Sequence, residues 1–276
     1  MKKKVLKVGI PFYLNTLPLL SFFPKKSSWE LVLKCPRELN ELLRRGEIHA
    51  SLSSSIVYAK EFEELLIIPD ISISAVGEVK SVIFCHSTSI EDMHGKQIAI
   101  TPETESSFNL LRVLFEKFLK IKPNYVIVNK RWKELTEEEK GRFSGYLAIG
   151  DEALTIQLNA KGMEVTDLAK LWLEFTHLPF IFAVFVVRKD AAYEFLEELK
   201  EFVRALYIAR ARGLSNLLEV ARKNHLNLPE DFVFDYLTHL EYDFSGLKQR
   251  AFLTFCKYLL SLNIIKKLPE LKFLEV

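Results

Sequence analysis

Glycine is scarce in this chain, 10 of 276 residues, and its placement removes whole classes of function. There is no G-x-G-x-x-G fingerprint, no Walker loop and no G-x-S-x-G elbow, so dinucleotide, nucleotide and serine-hydrolase chemistry lack their usual loops. Cysteine is scarcer still. Cys35, Cys85 and Cys256 are odd in number, widely spaced and without a C-x-x-C pair. That excludes a disulfide framework or a cysteine zinc site and predicts reduced thiols, mostly buried. Neither sign of charge dominates: 38 Lys and Arg against 36 Asp and Glu leave a formal +2. The basic footprint of a nucleic-acid binder is missing. No apolar run reaches the roughly 18 to 20 residues of a membrane helix. LPFIFAVFVV is only ten long with Arg188 behind it, and reads as a core strand. The six histidines (His49, His86, His94, His177, His225 and His239) show no H-E-x-x-H or H-x-x-x-H spacing. His86 and His94, flanking a loop, are read as ordinary residues rather than ligands. Neither a metal nor a cofactor is expected.

The start, MKKK followed by VLKVGIPFYLNTLPLLSFFP, imitates a secretory signal. Lys7 interrupts the apolar run, Pro11, Asn15 and Pro18 punctuate it, and no A-x-A cleavage site follows. Leu6–Ile10 is therefore read as a short buried strand ending in a turn, and the protein is expected in the cytoplasm.

What the chain does have is a 49% hydrophobic and 27% charged composition, enough apolar surface to offset the entropy of ordering. The first third alternates strand and helix: VLKVGI, PLLSFF, WELVLKC, PRELNELLRRG, HASLSS and SSIVYAKEF. Proline opens the PRELNELLRRG helix and Gly46 closes it. Such alternation predicts a parallel sheet with right-handed crossovers. LLIIPDISISAVGEVKSVIFCH then holds three β-rich runs broken at Pro69-Asp70 and Gly77-Glu78, with no room for a helix. Alternation resumes from KQIAI through the helix FNLLRVLFEKFLK, the strands YVIV and GYLAIG, and a helix opened by Asp151. After the return strand LPFIFAVFVV the chain is almost wholly helical from about Asp190. Two α/β units with a helical tail predict two lobes and a ligand cleft between them.

Polar residues cluster just past predicted strand ends. They are Tyr13, Asn15 and Thr16; Ser53, Ser54 and Ser55; Ser81; Thr101, Thr104, Ser106 and Ser107; and Gly150 with Asp151. Each alone is an ordinary cap or turn. Together, at corresponding points of the topology, they mark an anion-binding cleft, because free N–H groups and the helix dipole supply positive potential there.

Five strings occur in order: IPFYLNTLPL, IIPDISISAVGEVKSVIF, IAITPETESSFNLLRVL, YLAIGDEAL and VTDLAKLWLEFTHLPFIFAVFVV. Over Val8 to Arg188 they resemble the MqnA family of menaquinone biosynthesis, the chorismate dehydratases of the futalosine pathway. The chain departs from that pattern at Thr176-His177-Leu178-Pro179, where the family usually reads TGLP, at Phe182-Ala183-Val184-Phe185, where it reads FAVW, and at ETESS, where it reads S-x-TS. The resemblance implies an α/β, two-lobed, periplasmic-binding-protein-like (type II) fold. Lobe 1 would be residues 1–88 plus 177–276 with the helical tail, and lobe 2 residues 89–176. It implies a cytoplasmic hydro-lyase that converts chorismate to 3-[(1-carboxyvinyl)oxy]benzoate and water, with Asn15 and Ser81 in the catalytic site. Tyr13, Ser53, Ser54, Ser55, Thr104, Ser106, Ser107, Gly150 and Asp151 are the candidate substrate-binding residues. Chorismate is the implied small-molecule partner, with no nucleic acid and no membrane, and a homodimer is left open. Two other readings stand beside this one: a solute receptor for a small carboxylate, and the sibling 1,4-dihydroxy-6-naphthoate synthase, which is expected to depend on a cleft histidine.

Overall fold

A computed structural model describes residues 5–159 and 163–275. The basic start, MKKK, lies outside the described residues. Among the described residues ten strands form: β1 Leu6–Pro11, β2 Trp29–Lys34, β3 Ala50–Ser54, β4 Leu65–Ala75, β5 Val82–His86, β6 Gln97–Ile100, β7 Asn124–Ile127, β8 Gly145–Ile149, β9 Glu164–Asp167 and β10 Phe180–Arg188. They build two five-stranded sheets, ordered β2-β1-β3-β10-β4 and β7-β6-β8-β5-β9. In each sheet three strands run parallel, as the alternation predicts. The next strand, β10 in one and β5 in the other, is antiparallel to both of its neighbours. That strand is the first one made after the chain changes sheet, so it enters from the opposite end.

The chain changes sheet twice, between Ala75 and Val82 and between Asp167 and Phe180. β5 is thus bonded into the second sheet, although the expected lobe boundary at residue 88 falls after it. The three expected β-runs over residues 65–86 also resolve differently. Pro69-Asp70 does not end a strand: β4 passes through it as one element, with register shifts against β10 and Asp70 at φ 52°. Only the stretch around Gly77 breaks the chain, and there it leaves the sheet.

Local chemistry explains most helices. Pro36 starts helix Pro36–Arg44, which lays Leu39 and Leu43 against the first sheet. Asp167 caps helix Leu168–Thr176, its carboxylate accepting from Ala169 N (2.9 Å) and Lys170 N (3.0 Å). That helix ends at His177 with φ 56°, the left-handed conformation that favours glycine, which is why TGLP is the usual string. His177 is exposed and only turns the chain. The helical tail expected from about Asp190 is broken at Phe195 into Lys189–Glu194 and Leu196–Ser215. All three cysteines are free, with Cys85 and Cys256 buried. No helix is long and apolar enough to cross a membrane among the described residues.

Candidate active site

The first strand ends at Pro11, and a short turn, Leu14–Thr16, follows it. Several groups hold that turn. Thr16 Oγ1 donates to the carbonyls of Pro11 (2.9 Å) and Tyr13 (2.8 Å). Leu14 N donates to Asp151 Oδ1 across the cleft at 3.0 Å. Tyr242 OH, from the tail, donates to the carbonyl of Asn15 at 2.9 Å. Backbone placement of Asn15 is therefore set by both lobes and the tail, while its side-chain Oδ1 is buried without a partner.

A cavity lies where this turn meets both sheets. Its lining includes Tyr13, Asn15, Ser54, Ser81, Thr104, Ser106, Ser107 and Gly150, with apolar walls from Leu52, Ile73, Val82, Ile149 and Phe182. Eight of the eleven candidate residues thus converge. Three do not. In β3 the side chains alternate, so Leu52 and Ser54 face the cavity while Ser53 turns to the other face and is buried there. Ser55 Oγ lies 3.1 Å from Ser106 Oγ, and Ile56 N donates to Ser106 Oγ at 3.1 Å, so Ser55 joins the lobes instead of lining the cavity. Asp151, expected as a helix cap, does not cap its own helix. Its second oxygen pairs with His225 Nε2 at 2.9 Å, and His225 stacks on Phe12 with ring centroids 4.4 Å apart. Burial pushes the Asp151 carboxyl above the usual range, against the pull of Leu14 N–H and His225.

Gly150 is needed for two reasons. Its φ is +57°, and a Cβ there would sit 3.1 Å from the Tyr13 ring. Its N–H also donates to the carbonyl of Ser81 at 2.7 Å, fixing the far side of the cavity.

Sequence reasoning passed over the two glutamates in ETESS. Glu103 accepts from Tyr13 OH across the cleft and from Arg131 Nε (2.9 Å). Glu105 accepts from Asn40 Nδ2 (3.0 Å) and Arg44 Nη2 (3.4 Å), both from the first lobe. Desolvation first, then Glu103, pushes the Tyr13 phenol up, so it remains a donor. Both glutamates line the cavity, but among the lining residues there is no Lys, Arg or His. The cavity measures about 70 Å³. Ligand pockets run from roughly 300 Å³ upward, so this arrangement of the lobes leaves less room than a ring-sized molecule usually occupies. Among the described residues, no three His, Cys, Asp or Glu side chains gather as a metal site. His86 is occupied within the second lobe, by the carbonyl of Thr88 and by Thr166 Oγ1, each at 2.9 Å.

Residues 6–260 match the menaquinone biosynthesis family. The chain belongs to that family. A chorismate dehydratase from Thermus thermophilus is 32% identical to it over 266 residues, covering 88% of this chain and 93% of that protein. Among solved structures, protein AF1704 from Archaeoglobus fulgidus matches with a TM-score of 0.76 at 17% identity, over 96% of this chain and all of that one. The periplasmic aliphatic sulphonate binding protein SsuA of Escherichia coli matches at 0.66 and 15% identity, over 97% and 96% of the two chains. This menaquinone biosynthesis family member therefore has the fold of periplasmic binding proteins, and the match to the family spans both sheets and most of the helical tail.

Proposed function

We propose that this protein is a chorismate dehydratase that forms 3-[(1-carboxyvinyl)oxy]benzoate and water in menaquinone biosynthesis by the futalosine route. The observation that carries the reading is the 32% identity to the Thermus dehydratase across both lobes, with Asn15 and Ser81 facing one cavity. Its setting is the cytoplasm. Loss of the ring hydroxyl with a neighbouring ring hydrogen makes an aromatic ring, so the reaction runs downhill. The protein has to hold a dianion, align the breaking bonds and stabilise the departing hydroxyl. With no cationic side chain in the lining, the carboxylates are held by hydroxyls and by the free N–H groups that start helix Ser106–Val113. The Asn15 amide and the Ser81 hydroxyl serve the leaving hydroxyl. Asp151 lies outside the lining and is committed to Leu14 and His225, while Glu103 and Glu105 are paired. A carboxylate of the substrate is accordingly the proton acceptor.

No histidine lines the cavity, which favours the dehydratase over the sibling naphthoate synthase. Incubation of the purified protein with chorismate, followed by chromatography, should show chorismate consumed and an aromatic enol-pyruvyl product formed. Tight binding of chorismate without turnover would instead indicate a receptor.

A further inference from the structure

Helix Glu230–Thr238 of the tail packs against the turn that carries Asn15. Its Tyr236 is fully buried, and the side chains its hydroxyl meets are those of Ser81 and Asn15. Yet neither the Tyr236 hydroxyl nor Asn15 Oδ1 completes a hydrogen bond. A buried hydroxyl and a buried amide oxygen on neighbouring side chains, both unpaired behind the cavity that Asn15 and Ser81 line, are uncommon and costly to keep. They become economical if the ligand-filled state pairs them. Burial also holds the phenol well above its ordinary range, so it is a donor at neutral pH.

We propose that Tyr236 is a positioning residue for the elimination: in the filled cleft its O–H donates to Asn15 Oδ1, which turns the Asn15 NH2 toward the leaving hydroxyl. The inference rests on the dehydratase reading. An amide can face two ways, and only one presents donors to an oxygen that is gaining negative charge. The phenol oxygen, in turn, can accept from Ser81, so one side chain aligns both groups. Tyr242 already holds the carbonyl of Asn15. The tail would thus fix the backbone of that residue with one tyrosine and its side chain with another.

The test is Tyr236→Phe, assayed with chorismate at steady state beside the wild type, Asn15→Ala and the double variant. The ring is kept, and an unpaired buried donor is removed, so Tm should hold or rise. We expect kcat to fall about tenfold or more with KM within about threefold, because the lost interaction acts in the transition state. In the Asn15→Ala background the same change should cost nothing further. A Tyr236→Phe enzyme with wild-type kcat, or independent losses that multiply in the double variant, would overturn the inference while leaving the dehydratase reading intact. Absence of turnover in the wild type would overturn both.

Discussion

Asp167→Ala should loosen the connection between the lobes. One oxygen caps helix Leu168–Thr176, and the other accepts from Val79 N (2.9 Å) and Lys80 N (2.7 Å) in the first crossing segment. One side chain therefore ties the first crossing to the start of the second. Loss of the cap costs about 1 kcal/mol. The Val79 N–H is buried and would be left unpaired, at about 2 kcal/mol; the half-buried Lys80 N–H can find water, which limits its share to about 1 kcal/mol. Against this, burial pushes the Asp167 carboxyl up despite its four N–H donors, so removing the charge returns part of the loss. The net expectation is about 3 kcal/mol, a large share of the roughly 5 to 15 kcal/mol that holds a domain folded. Urea unfolding followed by tryptophan fluorescence suits the measurement, because Trp172 is buried on the capped helix. Turnover by the folded variant should fall as well, since Ser81 ends the loosened segment. A midpoint change worth less than about 1 kcal/mol would refute the reasoning, because a cap loss alone accounts for that much.

Asn15→Ala should stay folded yet lose on the order of a hundredfold in kcat/KM, about 3 kcal/mol, and Asn15→Asp should abolish binding as well by placing charge beside a dianion. A variant within about threefold of wild type would show that Asn15 only makes the turn. Gly150→Ala should lose about 1 to 3 kcal/mol by chemical denaturation, since φ +57° is strained for alanine and its methyl meets Tyr13. Unchanged stability there would mean that the helix start shifts freely. The hydrogen bond to Lys80 lowers the Asp235 carboxyl, so its contribution is present above the unfolded value near about 3.9 and is lost as pH falls through the folded one. Asp235→Asn should accordingly flatten the acid limb of a Tm profile below about pH 5, and an unchanged limb would count against the pair.

The sequence by itself determined the elements and the approximate place of the site. Short apolar runs, a proline at a helix start and polar clusters past strand ends are local signals, and they led to Tyr13, Asn15, Ser54, Ser81, Thr104, Ser106, Ser107 and Gly150. What it could not supply was anything that depends on distant pairing. Ser53 and Ser54 are neighbours of the same type, and only the position of β3 between β1 and β10 decides which one faces the cleft. Asp151 reads equally well as a cap, and its actual partners are 137 and 74 residues away. β5 could have stayed with the first sheet until its antiparallel bonds to β8 and β9 placed it in the second. Tyr236 and Tyr242 carry no local mark of function, because a buried aromatic in a helical tail looks like any core residue. Their hydroxyls acquire meaning only when folding brings the tail, more than two hundred residues on, against the turn that holds Asn15.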